Sequence, residues 1–308
     1  ANTAGERVAD PFPLWIRLGN AAVAFMRYLL MTLWPSGLSV LNPHPGADLP
    51  VWQVVVATLL LAWITALVVM TRRHHPYILV GWLWYLATLL PVCGIVQIHA
   101  QALAHRYVYV PLIGVFLSAA WGIPLLASRC RVPPLAQRTA GIVLIITLTT
   151  LAHAQTAHWR NSVTLFEHAV TVDPDNAEAH LALGNAYADI RRFPSAAHQY
   201  AKAVELAPAG YAHVPFDALN NWAAVLTRQA HEAPPKQADA LLEQALEKAR
   251  TALRLRPGDH KARMNLGNIL FERLQHATPA EAPALLEQLR EAYQTVLRDR
   301  PDVYEALY

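Results

Sequence analysis

The residues best suited to chemistry stand in two segments that border apolar runs. One holds His105, Arg106, Tyr107 and Tyr109, with His99 upstream, and the other, WPSGLSVLNPHPG, holds Trp34 and His44. A guanidinium grips phosphate oxygens as a fork and stays charged, so Arg106 between aromatic rings at an apolar boundary suits the phosphate of a lipid. An arginine that only reaches from an aromatic belt to the headgroups gives the same pattern. His44, within NPHPG, suits loop packing better than catalysis. His74 and His75 adjoin Arg72 and Arg73, but neighbouring histidines do not share a helix face and no acid is near. Basic anchoring explains them better than a metal, so no metal site is expected. The apolar runs contain neither Asp nor Glu, and Glu6, Asp10 and Asp48 show no spacing that argues for acid-base catalysis. The catalytic residue is therefore unassigned.

The elements that position these residues change character near Gln155. Val51 to Met70 has no ionisable side chain and is long enough, at about 1.5 Å per helical residue, to cross a hydrocarbon core of about 30 Å. Ile78 to Gln97, Val110 to Ser128 and Ala140 to His153 read as three further spans, with Pro91 and Pro124 as candidate kinks. Arg72, Arg73, Arg129, Arg131 and Arg138 fill the first and third loops, against Arg106 alone in the second. That bias places the first and third loops in the cytoplasm and the remaining segments on the outer side. Ahead of the spans, Arg17, Asn20, Ala24 and Arg27 fall within an arc of about 80° on a helix, which suits one lying in the membrane interface. Residues 1–50 thus read as an outer-face interfacial helix and loop, 51–155 as a four-span domain, and 156–308 as soluble helical repeats.

From Ala177 the repeat signature is specific. Leu183, Gly184 and Tyr187, then Ala196, Tyr200 and Ala203, then Pro208 match a tetratricopeptide (TPR) helix pair of about 34 residues. Phe166, Ala169 and Pro174 supply a preceding second helix. Later pairs start at Phe216, with Trp222 and Leu226, and at His260, with Leu266, Gly267 and Tyr293. Both exceed the usual length, with the excess at HEAPPKQAD and HATPAEAPA, where longer turns are expected. An all-α chain follows: a polytopic helix bundle, then a TPR solenoid. An Asn amide both donates to and accepts from a peptide backbone, so Asn185, Asn221, Asn265 and Asn268 are candidates for gripping an acceptor chain. Ala182 interrupts the column that Asn221 and Asn265 begin.

The charge of +3 and the absence of basic clusters interleaved with aromatics argue against nucleic acid. The two cysteines, Cys93 and Cys130, do not make a disulfide framework. The chain begins without a signal-peptide pattern, and Val303 to Tyr308 reads as the start of a helix, so a fragment of a longer protein is expected. Abundant Ala and Arg with few Lys suit a bacterium.

The runs HHPYILVGWLWYLATLLPVCGIVQ, HRYVYVPLIGVF and WPSGLSVLNPHPG, joined through HWRNSVTLFEHAV to the repeats, resemble the distal part of bacterial TPR-bearing membrane glycosyltransferases of the GT-C class. These are similar to the transmembrane-and-TPR protein O-mannosyltransferases. The resemblance implies transfer of a sugar, mannose above all, from a polyprenyl-phosphate donor to Ser or Thr of outer-face proteins, with the TPR groove binding the acceptor. It implies an inner-membrane location with periplasmic repeats. In that class the general base is an acidic residue of an earlier outer loop, expected to precede Ala1. The related pattern carries Asp where this chain has His105, whereas Arg106 and Tyr107 match. The rival readings are a non-enzymatic membrane scaffold for envelope complexes and a lipid-linked glycan ligase or polymerase with a TPR tail.

Overall fold

The computed structural model describes residues 13–34, 37–42, 49–93, 108–207 and 213–299. The chain divides into two units, Ala1–His158 and Trp159–Tyr308. All regular structure in the described residues is helical.

The first unit comprises α1 (Leu14–Leu33), α2 (Val51–Thr71), α3 (Pro76–Leu89), α4 (Tyr109–Arg129) and α5 (Pro134–Thr156). Among the described residues, three stretches are long and apolar enough to cross a membrane: α2 and α4, of 21 residues each, and Pro134–Arg160, of 27. The last outruns the expected span at both ends, because Pro134 in its first turn needs no hydrogen bond there and Ala157–Arg160 continues as a 3₁₀ segment. The expected span over 78–97 is shorter where described. α3 passes into a 3₁₀ turn at Leu90–Val92, containing Pro91, and residues 94–107 lie outside the described part. α4 runs through Pro124. The hydroxyls of Thr58, Thr65, Thr88, Thr147 and Thr150 donate to the carbonyl four residues earlier, which satisfies them without water.

Phe25, Tyr28, Trp82, Tyr85 and Leu89 form the core of this unit. Tyr85 donates from its hydroxyl to the Phe25 carbonyl at 2.6 Å, and Trp82 Nε1 donates to Thr65 Oγ1 at 3.0 Å. α3 and α4 approach at Gly81 and Gly114, where a Cβ on either would overlap the other's carbonyl oxygen.

The second unit stacks α6 (Ser162–Val172), α7 (Ala177–Asp189), α8 (Phe193–Leu206), α9 (His213–His231), α10 (Pro235–Leu255), α11 (His260–His276) and α12 (Ala282–Asp299). Each packs on the next, and α9 also touches both α7 and α11, which makes these three one row of a solenoid. Asn161, Asn176 and Asp259 cap α6, α7 and α11 by accepting from the backbone amide three residues on. Gly184 leaves room for the Tyr200 ring, and Gly267 for that of Tyr293.

The extra residues of the later repeats do not lengthen turns, as the sequence suggested, so much as the helices themselves. α7 and α8 have 13 and 14 residues, whereas α9 and α10 have 19 and 21, and α11 and α12 have 17 and 18. Pro235 falls in the first turn of α10, where its ring is tolerated, and Ala238 and Leu242 then enter a core shared with Ala230, Leu285 and Leu289. Apolar burial on the inserted turns makes helix the better use of those residues than an open loop.

Candidate functional site: an asparagine row on the repeat unit

The first helices of the three pairs, α7, α9 and α11, carry five asparagines, four of which connect one repeat to the next. Asn185 Oδ1 accepts from the Tyr200 hydroxyl and from Asn221 Nδ2, both at 2.9 Å. Asn220 Oδ1 accepts from Asn265 Nδ2 at 2.9 Å, and Asn268 Oδ1 accepts from the Tyr293 hydroxyl at 3.0 Å. Each tyrosine comes from the second helix of its own pair, so a side chain already held by packing orients an amide on the first. Burial raises the pKa of both tyrosines, the sole cause for Tyr293 and the largest for Tyr200, and keeps them as neutral donors.

These bonds occupy one end of each amide. The Nδ2 groups of Asn185, Asn220 and Asn268 and the Oδ1 atoms of Asn221 and Asn265 have no further partner among the described residues. A row offering both donors and acceptors without charge matches the peptide group, which carries one of each per residue. The sequence column had a gap at Ala182. Asn185, one turn further along α7, fills it, and its bond to Asn221 was hidden because the two stand at different offsets in their repeats. Asn220 was not singled out in the sequence. The adjacent pair Asn220–Asn221 was the available signal, since one faces α7's asparagine and the other α11's.

A concavity of 560 Å³ lies where the short α7–α8 hairpin abuts the longer α9, lined by Asp189, Arg191, Arg228, His231, Glu232 and Glu272 among others. Arg191 pairs with Glu232, and His231 Nδ1 lies 3.7 Å from Glu272. Charges of both signs leave it without a net preference for an ion, so the asparagine row is the stronger candidate.

His105, Arg106, Tyr107, His99 and His44 lie outside the described residues. Tyr109 opens α4 and Trp34 follows α1, each 76% exposed. His75 precedes α3 with its ring edge-on to Tyr77. Among the described residues no three His, Cys, Asp or Glu side chains gather as metal ligands. Cys93 is buried and Cys130 exposed.

The tetratricopeptide repeat family matches residues 151–211, which include α6, α7 and α8. The lengthened pairs α9–α10 and α11–α12 fall outside that match. Protein O-mannosyl-transferase TMTC1 of Mus musculus is 27% identical over 168 residues, covering 51% of this chain and 18% of the relative. Protein O-mannosyl-transferase TMTC1 of Homo sapiens is 28% identical over 187 residues, covering 58% of this chain and 20% of the relative. The chain thus spans about a fifth of the length of these relatives. It carries a tetratricopeptide match over residues 151–211, has helices long and apolar enough to cross a membrane, and is similar to part of TMTC1.

Proposed function

We propose that this chain is the distal part of a GT-C-class membrane glycosyltransferase that moves a sugar, mannose above all, from a polyprenyl-phosphate donor to Ser or Thr of outer-face proteins. The asparagine row holds the acceptor as an extended chain, and the enzyme sits in a bacterial inner membrane with its repeats in the periplasm. The observation that carries the acceptor role is the uncharged, half-engaged amide row on α7, α9 and α11. The likeness to an O-mannosyl-transferase supplies the reaction class. In that reaction the acceptor hydroxyl oxygen bonds to the anomeric carbon, the bond from that carbon to the phosphate oxygen breaks, and the hydroxyl proton passes to a base. Polyprenyl phosphate leaves. Arg106 and Tyr107 are assigned to the donor phosphate, with His105, Tyr109, Trp34 and His44 shaping the loops around it, and the base is assigned to no residue of this chain.

The test is transfer of labelled mannose from a mannosyl-phosphoryl-polyprenol to a Ser/Thr-rich peptide by the full-length enzyme. Asn221→Ala with Asn265→Ala removes two amides, each worth about 1 kcal/mol, and raises the acceptor KM by roughly thirtyfold with kcat retained. An unchanged KM rules out the acceptor grip. Label recovered on lipid or glycan instead of peptide would assign the ligase activity, and absence of transfer together with intact peptide binding would assign the scaffold.

A further inference from the structure

We infer that α1 is immersed in the bilayer with its outward face against lipid acyl chains, and does not lie on the membrane surface with a polar side toward water. The two placements demand opposite amphipathicity. A surface helix turns its apolar side down and its polar side to water. In α1 the arc holding Asn20, Ala24 and Tyr28 is buried against the protein, and the Nε of Arg17 is buried with it. The opposite side is apolar: Leu14, Trp15, Leu18, Leu30 and Leu33 are between 50% and 80% exposed. At about 100° per residue these five positions span roughly 160°, and Ala22 and Met26 fall between them. The polar stripe that the sequence suggested would meet water faces inward. Arg27 stands at its edge, exposed, where its stem can carry the charge toward headgroups.

The contacts of α1 set its depth. A Cβ on Gly19 would lie 3.3 Å from the Val54 methyls in the first turn of α2, and Phe25 and Tyr28 share a core with Leu61, Ile64 and Val68 further along it, so α1 accompanies α2 through the apolar span. Phe25 receives the Tyr85 hydroxyl from the interior of α3, and the two rings meet edge to face at 5.9 Å. The exposed face of α1 is therefore continuous with the exposed apolar residues of α2, among them Trp52, Val55 and Leu59, on a helix of spanning length. Exposing so much apolar area to water is unfavourable in proportion to that area, whereas acyl chains accept it without selecting a particular side chain.

Nitroxides placed one at a time at Leu18, Ala22 and Leu30, and at Leu59 as a reference, in protein reconstituted into phosphatidylcholine–phosphatidylglycerol vesicles, test this by power saturation. Oxygen accessibility above that of a water-soluble nickel chelate at all three α1 positions, as at Leu59, is expected. Greater accessibility to the chelate would return α1 to the interface. Exclusion of both reagents with an immobilised spectrum would mean that protein, including a second copy of this chain, covers the face. All the α1 label sites lie on the outward side, so folding is preserved, and circular dichroism of each labelled protein verifies it.

Discussion

Single side chains decide how the repeats are tuned. His213 at the start of α9 lies 3.6 Å from Glu178 at the start of α7. The Glu178 carboxylate beside it raises its pKa above the usual 6.5, outweighing partial burial, with Asp217 adding to the rise and Arg256 opposing it. Because the folded pKa exceeds the unfolded one, the contribution is fully present below the unfolded pKa and is lost as pH rises through the folded value. Glu178→Gln is therefore expected to lower the unfolding midpoint more at about pH 5.5 than at about pH 8.5, as followed by circular dichroism. Equal shifts at both would deny the coupling. None of this was legible in the sequence, since Glu178 and His213 belong to different helix pairs. Gly184 and Gly267, in contrast, were readable, because a repeat that places Tyr on the second helix needs a missing Cβ opposite it.

Elements are held by two different means in the two units. α3 and α4 approach so closely at Gly81 and Gly114 that Ser118 Oγ, itself donating to the Gly114 carbonyl at 2.9 Å, would be struck by a Cβ on Gly81. Small residues let helix backbones meet in lipid, where no hydrophobic drive separates the packed from the unpacked pair. Gly114→Ala should destabilise by about 1–3 kcal/mol, read as a lowered thermal midpoint in detergent. Gly141→Ala on α5, with nothing within 4 Å of its Cβ, should leave the midpoint unchanged or raise it. In the repeats the drive is apolar burial. Leu242, fully buried on α10 just past the insertion, is expected to cost about 2–5 kcal/mol on change to Ala, whereas Leu286, 51% exposed, should cost less than about 0.5 kcal/mol. Denaturant unfolding compares the two, and equal costs would show that burial in the core shared by α9 to α12 does not set the stability of these repeats.

For the whole molecule, the arginine distribution makes a prediction about sidedness. An alkaline phosphatase fused after Asn176 should be active and one fused after Arg73 inactive, because the enzyme matures only outside the cytoplasm; the reverse pattern would invert the proposed orientation. What the sequence determined by itself was whatever depends on neighbours along the chain: apolar runs long enough to span, the small and large positions of the α7–α8 pair, and hence an all-α chain with a membrane part and a TPR part. Tertiary structure decided what depends on partners far apart in the chain. It turned the Asn20 side of α1 inward because α2 and α3 receive it, made helix of the inserted residues because α12 supplies leucines against them, and joined Asn185 to Asn221 and Asn220 to Asn265 across repeats. Periodicity gives each helix a face, but only the packed neighbour determines which way that face turns, since burial and hydrogen bonding are properties of pairs.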